Sequence, residues 1–231
     1  MSDHPPGFQR AYATLLAAFG PQGWWPADSP FEVMVGAILT QNTAWTNVER
    51  AIERLKESGR FTPVGLLEIP DSEMAGMIRS SGYFRLKTRR LKAFLDTFVG
   101  CYGGDVGRMR ARPLALLRSQ LLGIHGVGPE TADCILLYAL DKPSFVVDAY
   151  TRRAFGRLGL VDAGADYHDI QARFTEHLSP EVGIYQEYHA LIVALGKDIC
   201  RPKPRCDRCP LAAGCPASSA NQEDEAGARL S

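Results

Sequence analysis

The stretch Leu121-Leu122-Gly123-Ile124-His125-Gly126-Val127-Gly128-Pro129-Glu130-Thr131-Ala132-Asp133 reads as an apolar helix end, a tight turn with glycines two apart, and a second helix opening at Pro129. Gly126 and Gly128 can take backbone angles closed to other residues, and they leave the amides of the turn uncovered by side chains. Those amides meet the positive end of the helix that follows. Gly126, Val127 and Gly128 are therefore expected to hold one phosphate of a DNA backbone, with no base contact and so no sequence preference. A G-x-G alone is more often a simple turn. The flanking helices and the proline at the helix start point to the phosphate.

On both sides of this turn helical periodicity dominates and strand signals are scarce. Phe31 to Leu55 reads as helix, polar interruption, helix. Leu114 to Leu122, Thr131 to Leu140, Ala149 to Leu158 and Tyr185 to Leu195 each place apolar residues three or four apart. Asp71 precedes Ser72-Glu73-Met74, Pro180 restarts a segment, and Gly156, Gly159 and Gly196 mark ends or close contacts. No repeat is found. Downstream of the hairpin, Phe145-Val146-Val147-Asp148-Ala149-Tyr150 is an apolar run ending in a carboxylate at the mouth of the next helix, where Asp148 is placed to cap it.

Near the C-terminus Cys200, Cys206, Cys209 and Cys215 stand at C-x5-C-x2-C-x5-C spacing. Four thiolates on short loops suit a tetrahedral zinc or a cubane iron–sulfur cluster, and the unequal gaps favour the larger group over the paired C-x2-C knuckles usual for zinc. A pair of disulfides is disfavoured because no signal peptide or extracellular pattern accompanies them. Arg201, Lys203, Arg205 and Arg208 lie among these cysteines. They serve either to sit on a phosphate backbone or to offset the negative charge of a thiolate-ligated cluster.

The chain has 231 residues, 45% hydrophobic and 23% charged, which gives room for one large or two small globular domains. Basic and acidic residues balance at 26 each, which argues against a nonspecific nucleic-acid coat. The acidic Glu223, Asp224 and Glu225 sit in the last stretch, so any nucleic-acid site must come from local clustering. No apolar run approaches the roughly 20 residues that cross a bilayer. A cytoplasmic, nucleoid-associated protein without a membrane partner is expected.

Helix, Gly126-Val127-Gly128, helix, then Val147-Asp148, then the cysteine cage: this order resembles the endonuclease III superfamily of DNA glycosylases, the helix-hairpin-helix, Gly/Pro-rich loop and Asp group, over about Phe31 to Cys215. The resemblance implies an all-α fold of two helical domains flanking a DNA-binding cleft, with a 4Fe-4S cluster on Cys200, Cys206, Cys209 and Cys215. It places a six-helix barrel domain with the hairpin at 22–141 and a cluster domain at 1–21 plus 142–216, while 217–231, rich in Ala, Ser and acidic side chains, reads as a disordered tail. The family's first cysteine gap is typically one residue longer than the gap here, which shortens the basic loop. The implied partner is double-stranded DNA carrying a damaged base, bound by a monomer.

By the same resemblance Asp148 matches the catalytic carboxylate, which stabilises positive charge on the sugar as the base leaves and orients or deprotonates the attacking water. Gln41 matches the glutamine that fills the hole left by the extruded base. Tyr83 matches the apolar wedge, with Arg85, Lys87, Arg89, Arg90 and Lys92 following on a helix near it. On the residues alone, Gln41 reads as a capping amide and Tyr83 as a loop aromatic. Bifunctional members carry a lysine where this chain has Glu130, and a carboxylate cannot make an imine. A monofunctional enzyme without real β-lyase activity follows, since Lys197, just before the cage, is better read as support for the cluster domain or a phosphate.

Trp24-Trp25-Pro26, Leu39-Thr40-Gln41-Asn42-Thr43-Ala44-Trp45, the pattern Gly128 to Asp133 and His189-Ala190-Leu191-Ile192-Val193 resemble the bacterial 3-methyladenine DNA glycosylases of endonuclease III type. A purine alkylated on a ring nitrogen is cationic, so stacking on Trp24, Trp25 or Trp45 gains about 0.5–2 kcal/mol of cation–π energy. The same charge weakens the glycosidic bond. The plainer reading of Trp24-Trp25 is a core at a domain seam. Two other functions stay open: an endonuclease III paralogue acting on oxidised pyrimidines, and a noncatalytic DNA-damage binder.

Overall fold

A computed structural model describes residues 7–218, and among them every regular element is a helix. In chain order these are α1 (Phe8–Phe19), α2 (Pro30–Leu39), α3 (Trp45–Glu57), α4 (Pro63–Glu68), α5 (Asp71–Met77), α6 (Phe84–Tyr102), α7 (Val106–Arg110), α8 (Leu114–Leu122), α9 (Pro129–Cys134), α10 (Ala149–Arg157), α11 (Tyr167–His177) and α12 (Val182–Asp198). The helix-hairpin-helix is α8, the turn and α9, and α9 continues as a wider π turn over Ile135–Ala139. The described residues divide into two compact units, 25–144 and 7–24 together with 145–218. The expected tail lies outside the described residues from 219 on; Ser218, within them, is fully buried.

Unit 25–144 is built around α2. Ser29 starts this helix by accepting a hydrogen bond from the Glu32 amide at 3.2 Å, with Pro30 as its first residue. Every residue from Phe31 to Leu39 is buried, which makes α2 a core helix rather than an amphipathic one. Amphipathic neighbours surround it: Val48, Ile52 and Leu55 of α3, and Leu91, Phe94, Leu95 and Phe98 of α6, are all inaccessible to solvent or nearly so. Burying such side chains contributes about 1.5–3 kcal/mol each.

The other unit gathers α1, α10, α11 and α12 around an aromatic core. Phe174 stands 4.1 Å from Phe145, 4.7 Å from Phe155 and 4.8 Å from Phe8, ring centroid to ring centroid. Tyr188 donates its hydroxyl to the Phe8 carbonyl at 2.7 Å, fixing α12 against α1. Gly196 lies inside α12, and a Cβ there would come within 2.5 Å of the Tyr150 ring. It therefore serves close helix packing between α10 and α12, not a helix end. No described helix is long and apolar enough to cross a membrane.

Candidate functional site

Gly126 takes φ 84°, a left-handed angle that suits glycine, and any Cβ on it would collide with Arg90 Cγ at 2.3 Å. Gly128 corrects the sequence reading: its φ of −89° is open to any residue, and a Cβ there would meet nothing within 4 Å. Its use is to leave the start of α9 bare. Val127 turns its buried side chain inward and donates its amide to the Ile124 carbonyl at 3.0 Å. Among the described residues the amides of Gly126 and Gly128 donate to no protein acceptor, so these two remain available to an anion.

Gln41 is docked on this hairpin. Its Nε2 donates to the Gly126 carbonyl and to Thr131 Oγ1, both at 3.0 Å, and its Oε1 accepts from Arg90. The turn that carries it uses Asn42 at φ 53°. Tyr83 also has a left-handed backbone, φ 45° and ψ 30°, and its side chain is 70% exposed. An exposed aromatic held in a conformation unfavourable for a bulky residue is strain of the kind that collects at functional sites.

The basic helix after Tyr83 is not one surface. Lys87 is 1% exposed, and its Nζ donates to the carbonyls of Leu39 at 2.8 Å and Ser81 at 2.5 Å. Those carbonyls lie at the roots of the Gln41 and Tyr83 loops, so one ammonium ties the two together. Burial, with Arg90 nearby, lowers the Lys87 pKa to about 8. Lys92 closes the end of α4 by donating to the carbonyls of Leu67 and Ile69. The sequence could not separate these two from Arg85 and Arg89, which are exposed.

Trp25 packs edge-on against Trp45 at 5.3 Å and against Tyr138 at 5.4 Å. Gly36 supplies the floor: its missing Cβ would stand 3.5 Å from both indoles. Tyr138, on the π turn after α9, reads from the sequence only as one more apolar helix position. Trp24 belongs to the other unit. Glu130 is exposed at the start of α9.

Asp133, on the same helix as Glu130, is fully buried, and the sequence reading did not mark it as a site-building residue. Arg118 of α8 grips it with two bonds of 2.8 and 3.0 Å, and Ser144 donates to it at 2.6 Å. This carboxylate locks the two hairpin helices together.

In the other unit Asp148 caps α10 by accepting from the Thr151 amide at 2.7 Å and the Thr151 hydroxyl at 2.9 Å, both on Oδ1. Oδ2 faces His189 Nε2 of α12 at 3.5 Å, with the two side chains 12% and 5% exposed. Burial pushes the Asp148 carboxyl up, but the bonding and charge of His189 and the two Thr151 donors outweigh it and hold the pKa below its ordinary value. Asp148 is thus an oriented carboxylate that stays ionised at neutral pH. His189 stands out in the sequence only as part of a motif.

Cys200, Cys206, Cys209 and Cys215 line one cavity, along with Arg157. No three His, Cys, Asp or Glu side chains among the described residues are gathered to hold a single ion. Burial and the neighbouring thiols push the Cys209 thiol up, against a backbone hydrogen bond from Leu211. Four thiols lining one cavity are a donor set that suits a thiophilic metal centre. Arg157 donates to Cys200 Sγ at 3.4 Å and to the carbonyls of Arg201 and Pro202 at 2.6 and 2.9 Å.

A helix-hairpin-helix in one unit and a capped, ionised aspartate in the other define a class of protein. The chain belongs to the HhH-GPD superfamily of base excision DNA repair proteins, whose family model matches residues 35–180. This is the endonuclease III superfamily, and the protein is a DNA glycosylase of that class. Its relatives include the "Putative DNA repair glycosylase MJ1434" of Methanocaldococcus jannaschii, 47% identical over 89% of this chain and 94% of the relative. Endonuclease III of Thermotoga maritima is 32% identical over 80% of this chain and 82% of its own length. Among solved structures, a non-covalent endonuclease III–DNA complex superposes with TM-score 0.80 at 22% identity, over 93% of this chain and 96% of that one, a likeness of fold. The Helicobacter pylori 3-methyladenine DNA glycosylase bound to 1,N6-ethenoadenine superposes with TM-score 0.70 at 27% identity, over 81% of this chain and 94% of that one.

Proposed function

We propose that this protein is a monofunctional glycosylase that hydrolyses the N-glycosidic bond of an alkylated purine, such as 3-methyladenine, turned out of double-stranded DNA. The observation that carries the reading is Asp148, an ionised carboxylate fixed at one oxygen by Thr151 and faced at the other by His189. As the base departs, positive charge develops on the deoxyribose, and a fixed anion stabilises it more than a mobile one that must reorganise. The same carboxylate orients or deprotonates the attacking water. Glu130, where bifunctional enzymes have lysine, offers no amine for a Schiff base, so the strand stays intact.

Gly126 and Gly128 hold a backbone phosphate, Gln41 and Tyr83 occupy the space vacated by the base, and Trp25, Trp45 and Tyr138 stack on a cationic purine. Four cysteines around one cavity support a 4Fe-4S cluster, which when bound cross-links the loop that carries them. The protein acts as a monomer.

Duplexes each carrying one defined lesion test this. Release of an alkylated purine without strand nicking is the expected result. Borohydride-trapped adducts with oxidised pyrimidines would instead favour the second reading, to which identity with endonuclease III gives weight; binding with no release would favour a noncatalytic damage binder. Asp148→Asn should lower base release by about 10²-fold or more while leaving DNA affinity within a few-fold. Retained turnover would leave the aspartate as a helix cap alone.

A further inference from the structure

Five of the six cations from Arg79 to Lys92 lie on α6, and the structure sorts the six into two groups. Lys87, Arg90 and Lys92 are spent inside the unit, on the carbonyls of Leu39, Ser81, Leu67 and Ile69 and on the Gln41 amide. Arg79, on the turn before Tyr83, and Arg85 and Arg89, four residues apart on α6, are exposed and line one open groove of about 640 Å³. The guanidinium carbons of Arg79 and Arg85 each stand 6.0 Å from the centroid of the Phe84 ring, which splays and supports them. Among the described residues none of the three arginines forms an ion pair. Asp71 is the only carboxylate in the groove lining.

A protein of zero formal charge that leaves three guanidiniums facing one concavity has built a local anion site. Planar, bidentate donors on a semi-rigid aromatic support match the oxygens of a phosphodiester better than they match chloride or a flexible carboxylate. The groove begins at the residue after Tyr83. We propose that Arg79, Arg85 and Arg89 form a second phosphate site, separate from the glycine hairpin, that takes a DNA backbone phosphodiester next to the step Tyr83 enters. This rests on the reading of Tyr83 as the wedge. Its use is to anchor the strand while the aromatic ring is driven into the stack, so that the cost of unstacking is met by an interaction made on the same helix.

The test is the salt dependence of binding to a duplex with a single tetrahydrofuran abasic analogue, using the full chain. For each phosphate that the protein no longer neutralises, the slope of log K against log salt should shrink by about 0.9. Between about 50 and 200 mM salt the variant should therefore lose about threefold less affinity than wild type for each such phosphate. The variant Arg79→Gln/Arg85→Gln/Arg89→Gln should show that change, and the corresponding triple lysine variant should restore the wild-type slope. Arg173→Gln, which removes an arginine paired with Glu176, should leave it unchanged. Should circular dichroism show the triple glutamine variant unfolded, Arg89→Gln alone is held to the same criterion. An unchanged slope in a folded variant that still binds DNA overturns the groove and spares the glycosylase reading. A wild-type protein that does not bind the duplex sinks both.

Discussion

At the scale of single residues, Lys87 shows how far a side chain's meaning depends on its surroundings. Its amine keeps two carbonyl partners in either charge state, but the charged form is disfavoured by burial and by Arg90, so the folded pKa lies near 8 against 10.5 in the unfolded chain. Between those values the unfolded chain binds the extra proton, so stability from this group rises with pH across the window and is lost as pH falls through about 8. Urea unfolding of wild type against Lys87→Met should show the difference in midpoint drifting in favour of wild type from about pH 8 toward pH 10.5 and flat below pH 7. A pH-independent difference would place the amine in contact with water. Nothing in the sequence distinguishes Lys87 from Arg85 or Arg89, because helical periodicity assigns a face but not which long cation folds back inside. Asp148 was legible for the opposite reason: its cap partner Thr151 is three residues away, and local geometry is what sequence reports best.

At the scale of elements, the helices found from sequence are those whose ends and faces are set locally. The spans Leu114–Leu122 and Ala149–Arg157 match the reading to within a residue. The short α4 and α7 and the amphipathic α1 and α11 escaped it, since five or six residues carry too little periodicity and α1 has no side-chain cap, while of α5 only the start at Asp71 is legible. The pairing of α8 with α9 was legible as a hairpin, but the buried lock that fixes it was not. Asp133 has no solvent exposure and depends on Arg118, 15 residues away in sequence. Asp133→Ala should cost about 3–5 kcal/mol in denaturant unfolding, because Arg118 is left without its carboxylate. With Arg118→Ala added, the total loss should be much less than the sum of the two single losses, since both changes remove the same paired interaction. Additive losses would mean that the pair is not coupled. If the hairpin holds a phosphate, Asp133→Ala should also weaken DNA binding more than a surface change of equal stability cost.

At the scale of the whole molecule, the cysteine loop and the candidate catalytic carboxylate are opposite ends of one pair of helices. Asp148 begins α10 and faces His189 of α12. At the far end Arg153 donates to the carbonyls of Cys200 and Gly196 at 2.7 and 2.8 Å, and Arg157 reaches Cys200 Sγ and the next two carbonyls. A cluster bound by the four thiols would cross-link this loop, and through Arg153 and Arg157 it would also brace the helix that Asp148 caps. The purified protein should be brown, and Cys206→Ser should bleach it and lower its thermal midpoint by several degrees. Because the glycine hairpin lies in the other compact unit, that variant should lose more in base release than in affinity for an abasic duplex. Equal losses of both would show that the cage supports the fold at large, and a colourless wild-type protein with stoichiometric zinc would replace the cluster with a single ion. The spacing of the cysteines picks out four side chains that line one cavity, but the link of that loop to α10 runs through Arg153 and Arg157, charges that sequence alone would leave in solvent.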